Sequence, residues 1–145
     1  MAEGFYPFDK RALEELLSQF FVSSKKNPKI KGIIVPHAGY VYSGPVAGKV
    51  YSQLDDIYDT IILLGVNHTG VGNRISVSLV DWETPIGIVK NDVILGNKII
   101  DSNEMIRADE LSHFYEHSIE VQLPFLQSVF KDLKIVPITV SAELT

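Results

Sequence analysis

Two histidines stand at matching places in this chain. His37 follows Pro36 and precedes Ala38-Gly39, and His68 follows Asn67 and precedes Thr69-Gly70. Each comes just past a short aliphatic run. Two neutral imidazoles brought together are the beginning of a site for zinc, iron or copper. A structural turn histidine accounts for either one alone, so it is the recurrence that argues for a site. A third histidine lies in Glu116-His117-Ser118-Ile119-Glu120. On a helix, spacings of three and four put His117, Glu116 and Glu120 on a shared face. A carboxylate beside an imidazole sets its tautomer and raises its basicity, as general-base catalysis needs, which makes His117 the candidate acid/base group. The plain alternative is a polar helix start, where acids suit the helix dipole. His113, four before His117, would complete an HxxxH metal pair on a helix, although its neighbours fit a surface position. Two histidines and one carboxylate form the facial site of non-haem iron, with open positions for substrate and oxygen. Tyr40 and Tyr42 could line such a pocket, or simply pack. Asn67 could orient a ligand or make the turn, and Trp82 reads as core or rim.

Placing these residues requires strands that end at both histidines. Residues 30–35 and 60–64 are apolar and rich in β-branched side chains, and both read as buried strands. The first is stopped by Pro36, which cannot donate to a sheet ladder. Joined by a helical crossover, the two strands are expected side by side and parallel, with both imidazoles beyond their carboxyl ends, where open α/β sheets bind ligands. Asp9 caps an expected helix over 10–21, and a second helix is expected over 45–54, with Pro45 in its first turn after a Ser43 or Gly44 cap. Residues 74–80 alternate as a strand with one polar face. A loop over 81–87 leads into a short strand at 86–89. Asp92 caps a helix to Ile100, residues 102–112 are polar and carry no assigned element, 116–130 has a helical pattern with Pro124 as kink or early-turn residue, and 134–140 is a further strand. The result is a single α/β domain over residues 1–145 with a mostly parallel or mixed central sheet flanked by helices.

Composition narrows the function classes. Of the 145 residues, 46% are hydrophobic, enough for a sizeable core. Thirteen Lys and Arg against 18 Asp and Glu give a net charge of −5, which disfavours nucleic acid and anionic membrane as main partners. Cysteine is absent, so disulfides and thiolate metal sites are excluded within this chain. The start has neither a basic region nor a long apolar segment, and no apolar run approaches a membrane span, so a cytoplasmic location is expected. The sequence contains no P-loop, GxGxxG, GxSxG or HExxH pattern.

Several of these stretches also form an ordered set. Pro36-His37-Ala38-Gly39-Tyr40 with Ser43-Gly44, Leu64-Gly65-Val66-Asn67-His68, Thr84-Pro85-Ile86-Gly87 and Glu116-His117-Ser118-Ile119-Glu120-Val121-Gln122-Leu123-Pro124-Phe125 resemble the Memo family, in that order along the chain. Gly4-Phe5-Tyr6-Pro7 and Ile135-Val136-Pro137-Ile138 match it as well. The resemblance implies a fold similar to the class III extradiol ring-cleaving dioxygenases, non-haem iron enzymes that open catechols. It also implies that His37 and His68 are metal ligands and that His117 faces the same pocket. Family members are longer. Their second half supplies a Ser-Asp-Phe-x-His segment and often a cysteine to the site, and this sequence has neither. The resemblance is thus to the N-terminal half, and the site and sheet are expected to be incomplete, with an exposed sheet edge, a missing C-terminal half or a homo-oligomer to cover it.

The functional expectation is a metal-binding protein with a dioxygenase-like pocket on His37 and His68, holding iron or copper, or zinc as a third choice, weakly. Tyr40, Asn67, Glu116 and Glu120 would line it. If an enzyme, it would be a non-haem metal-dependent dioxygenase-like or redox protein acting on a small molecule. The alternatives are a non-enzymatic peptide- or partner-binding protein using a vestigial pocket, and a zinc-dependent hydrolase with Glu116 as carboxylate ligand.

Overall fold

The computed structural model describes residues 4–141. Among them, six strands form one mixed, open sheet flanked by helices. Its hub is the last strand in the chain, β6 (Lys134–Ser141). The strand β1 (Thr60–Asn67) runs parallel to it along its full length, from Thr60↔Lys134 to Asn67↔Ser141. A strand has two edges, so the remaining partners share the other one. There, β4 (Gly87–Asn91) pairs parallel at Lys134 and Ile135, and β2 (Ile75–Val77) pairs antiparallel at residues 138–140. Pro137 falls between these two pairings, where its missing N–H disturbs neither ladder. The short β3 (Trp82–Thr84) makes a hairpin with β4, and β5 (Ile106–Ala108) runs parallel to β2.

One face of the sheet carries the larger core. Here α1 (Lys10–Phe20), α2 (Tyr40–Tyr51) and α5 (Leu123–Val129) bury Leu13, Leu17, Tyr51, Phe125 and Leu126 against Ile61, Leu63 and Ile135. Asp9 caps α1 as expected, its carboxylate accepting from the Ala12 N–H at 2.8 Å. Two glycines of α2 let α1 come close: a Cβ on Gly44 would lie 2.3 Å from the Phe20 ring, and one on Gly48 2.4 Å from the Phe20 carbonyl oxygen. On the opposite face, α3 (Val93–Asp101) packs Leu95 and Ile99 over Val77, Val136 and Ile138. The Asp92 carboxylate caps α3 through the Leu95 N–H at 3.0 Å.

The expected strand over residues 30–35 does not form, and the parallel partner of β1 is β6. A cavity of about 580 Å³ separates residues 30–35 from β1, so no ladder can close between them. The second helix starts at Tyr40 rather than Pro45. Gly39 is its N-cap, and the Ser43 hydroxyl donates back to the Ala38 carbonyl at 2.8 Å from within the helix. The expected loop over 81–87 contains β3, and the polar stretch 102–112 contains β5 and the start of the short α4 (Leu111–Phe114). The strand expected over 74–80 shrinks to β2 and has no polar face in water, because Ser76 is fully buried. The helix expected from residue 116 begins only at a 3₁₀ turn, Glu120–Gln122, which leads into α5 with Pro124 in its first turn.

Candidate metal centre

His37, His68 and His117 lie at one end of the sheet, delivered by three separate connections. His68 directly follows the last residue of β1. The turn that carries it is built by Asn67, whose buried carboxamide oxygen accepts from the N–H groups of Thr69 and Gly70 at 3.2 and 3.1 Å. Its amide group donates to the Val71 carbonyl at 2.8 Å. Asn67 therefore shapes the loop that carries His68. His37 precedes α2 and is positioned by its neighbour, since the Gln122 amide donates to the Pro36 carbonyl at 3.1 Å. Gln122 is in turn held by the Tyr51 hydroxyl at 3.0 Å.

The ring centroids are 5.2 Å apart for His37 and His68, 5.9 Å for His37 and His117, and 4.8 Å for the stacked pair His68 and His117. One nitrogen from each ring can be chosen so that all three lie within 4.8 Å of one another, a group that could hold a metal ion. Ligand atoms around a tetrahedral zinc sit roughly 3.3 Å apart, so small side-chain rotations would close the triangle. Phe5 lies against His117 with centroids at 4.2 Å. Its backbone is anchored where the Phe5 carbonyl accepts from the Tyr40 N–H at 2.8 Å.

Glu116 organises the cluster from beneath. Its side chain is 1% exposed. Its carboxylate accepts from the His68 N–H at 2.6 Å and from the N–H groups of His117 and Ser118, both at 2.8 Å. The fourth contact is the His68 Nδ1, 2.9 Å from Oε1. Burial alone would push the Glu116 carboxyl up. The hydrogen bonds from the His68 ring and from the Ser118 and His68 backbone outweigh it and hold the group down at about 2. An ionised carboxylate only accepts, so the neutral tautomer of His68 that this contact selects has its proton on Nδ1 and its lone pair on Nε2. His117 is also held below its ordinary value. Desolvation lowers it, and the neighbouring His68 and His37 add to the effect against the pull of Glu116.

The other expected site residues are elsewhere. Tyr40 is buried, and its hydroxyl donates to the Val121 carbonyl at 2.7 Å inside the core, so it does not line the pocket. Glu120 accepts from the Tyr6 hydroxyl at 2.5 Å. Residues 116–119 are not helical, so the helix-face argument for Glu116, His117 and Glu120 fails. The loop is held instead by the Glu116 carboxylate and by the Ser118 hydroxyl, which donates to the Val66 carbonyl at 2.9 Å. His113 is buried against Trp82, with Nε2 3.2 Å from the Ser76 carbonyl, and forms no HxxxH pair with His117. Phe5 escaped the sequence reading as a site residue; its only signal was its place in Gly4-Phe5-Tyr6-Pro7.

An open mixed α/β sheet with a histidine cluster beyond β1 defines the structural class. Within that class, residues 1–145 match the Memo-like protein family, and the chain belongs to it. It is 45% identical over 140 residues to a MEMO1 family protein of Methanosarcina acetivorans, covering 95% of this chain and 51% of that relative. It is 46% identical over 144 residues to one of Aquifex aeolicus (97% and 53%), and 41% identical over 153 residues to one of Pyrococcus furiosus (99% and 52%). The chain thus spans about half the length of the curated relatives it matches. Among the described residues no helix is long and apolar enough to cross a membrane.

Proposed function

We propose that His37 and His68 hold a divalent first-row metal ion, iron or copper before zinc, and that His117 faces it as an acid/base group. The observation that carries this reading is the convergence of three imidazoles, with ring nitrogens inside 4.8 Å, over a buried carboxylate that fixes one of them. A bound ion of this kind supplies Lewis-acid or one-electron chemistry. The chain's residues do the rest. Glu116 keeps the His68 proton on Nδ1 and leaves Nε2 to bind, the usual arrangement behind a metal-ligating histidine. Desolvation keeps His117 neutral and ready to accept a proton, and its Nδ1 lies 3.6 Å from the Glu116 carboxylate, which stabilises the proton once taken. Phe5 shields one side of that ring from water.

The carboxylate arm of a facial iron site is not supplied by these residues. Glu116 is engaged by four hydrogen-bonding groups and Glu120 by Tyr6. The same engagement counts against Glu116 as a zinc ligand and so against the hydrolase reading. With two neutral ligands, binding is expected to be weak, and catechol opening by this chain alone is not expected. Anaerobic calorimetric titration with ferrous, cupric and zinc ions tests the assignment. His37→Ala and His68→Ala should each weaken binding at least ~10-fold, and His117→Ala should leave affinity within a few-fold. Unchanged binding in the first two variants would overturn the site. Loss in the third would make His117 a ligand rather than a base.

A further inference from the structure

The three imidazoles are not held alike. His68 follows β1 directly, and the Glu116 carboxylate accepts from its backbone N–H and meets its ring. His117 gives its N–H to the same carboxylate. The His37 ring has contacts to those two rings and no hydrogen bond to any described residue. The backbone N–H and C=O groups of residues 31–35, which lead to it, make none either. A metal-ligating histidine is ordinarily aimed through its second ring nitrogen. His37 is aimed through its backbone instead. After it, the Ser43 hydroxyl donates to the Ala38 carbonyl at 2.8 Å. Before it, Gln122 Nε2 donates to the Pro36 carbonyl at 3.1 Å. The same nitrogen lies 3.5 Å from the carbonyl of Ser118, the residue after His117, so a single carboxamide touches the connections that carry His37 and His117.

Carbonyl oxygens only accept, which commits the Gln122 nitrogen to Pro36 and Ser118 and leaves its oxygen in need of a donor. The Tyr51 hydroxyl is that donor, at 3.0 Å. Its own place is fixed by its ring, which stacks on Phe125 with centroids 5.1 Å apart and planes 8° from parallel. Tyr51 is 1% exposed and Gln122 6%. Removing the hydroxyl would therefore leave a buried acceptor unpaired and free the amide to turn away from Pro36. We propose that Tyr51 and Gln122 are positioning residues of the metal centre, which aim His37 at His68 and His117 through the Pro36 carbonyl. This rests on the reading of His37 as a ligand. Neither residue is itself a ligand. A tyrosine of the core, linked to the Pro36 carbonyl only through the Gln122 side chain, sets how closely His37 meets the other two rings.

The test is a double-mutant cycle read by calorimetric titration with zinc ion. Gln122→Leu should weaken binding at least ~10-fold, the ordinary cost of losing a group that orients a ligand. Tyr51→Phe keeps the ring, should leave the circular dichroism unchanged, and should weaken binding at least ~5-fold. In a His37→Ala background the same substitutions should each cost less than ~2-fold, because the group they aim is gone, whereas in a His68→Ala background they should keep their full cost. Unchanged affinity in both single variants would overturn the proposal. So would an equal cost with and without His37, which would make a general loosening of the core the cause. If His37→Ala by itself leaves zinc affinity unchanged, the reading of His37 as a ligand fails, and the positioning role is decided by NMR of the metal-free protein. Contacts between the imidazole protons of His37 and His117 should then be lost in Tyr51→Phe while those of the stacked His68 and His117 persist. Persistence of the His37 contacts would overturn the proposal independently of any metal.

Discussion

Replacing Glu116 by glutamine keeps the shape of the side chain and removes its charge, and its effect can be worked out beforehand. The carboxylate receives N–H groups from His68, His117 and Ser118 and the proton on the His68 ring, and it lies 1% exposed. Its acidity is displaced from an ordinary 4.5 to about 2. At ~1.36 kcal/mol per unit, that displacement is worth about 3 kcal/mol of stability at neutral pH. Glutamine would present an amide N–H₂ to donors it cannot satisfy, a loss of comparable size. The sign with pH follows from the direction of the shift. Because the native carboxyl is the more acidic, its contribution is complete above the ordinary carboxylate range and drains away as pH falls towards 2. Urea unfolding followed by circular dichroism should give Glu116→Gln a deficit of about 3 kcal/mol at pH 7, shrinking to less than half by pH 3. A deficit below about 1 kcal/mol at pH 7, or one that stays constant between pH 6 and pH 3, would refute the view that this carboxylate anchors the loop through its charge.

Gly48→Ala should destabilise the fold by about 1–3 kcal/mol in the same experiment, because its Cβ would meet the Phe20 backbone, whereas Gly32→Ala, with nothing within 4 Å, should be near neutral. Phe5→Ala should raise the His117 pKa, since desolvation is the main cause of its depression and the Phe5 ring covers it; an NMR titration of the imidazole protons reads this directly. Metal affinity should fall on acidification as the ligating rings take up protons, and calorimetry at pH 8 against pH 5.5 measures the loss.

What could be read beforehand depended on how local the cause was. The α1 and α3 starts were legible because Asp9 and Asp92 cap them through a single side-chain contact three residues away. Strand β6 was legible as an aliphatic run. The α2 start was not, because a Gly39 cap leaves no side-chain signature. Residues 30–35 have the composition of a strand, but a strand also needs a neighbour, and no local pattern reports whether one is present. The pairing of β1 with β6 joins distant stretches that carry no mark of each other. At the site, the strand-exit pattern singled out His37 and His68, and the structure places their rings 5.2 Å apart. Glu116 was named for its helical spacing, yet it acts through a non-helical turn that its own carboxylate creates by binding the His117 and Ser118 N–H groups. Tyr40 and Asn67 were named as pocket residues; Tyr40 has its place in the core, and Asn67 shapes the turn that carries His68.

Strand β6 holds together β1, β2 and β4, and it is the last of the described elements to leave the ribosome. Thr60 and its neighbours must wait for Lys134 and those that follow before they have anything to pair with. At about 5–20 residues per second, that wait lasts several seconds. During it, α1 and α2 can associate through Phe20 and the two glycines, but the aliphatic side chains of β1 have no sheet to enter. Assembly of the sheet is therefore a late event of high contact order relative to the pairing of α1 with α2, and the nascent chain between Thr60 and Lys134 is the natural client for a chaperone that binds extended apolar segments.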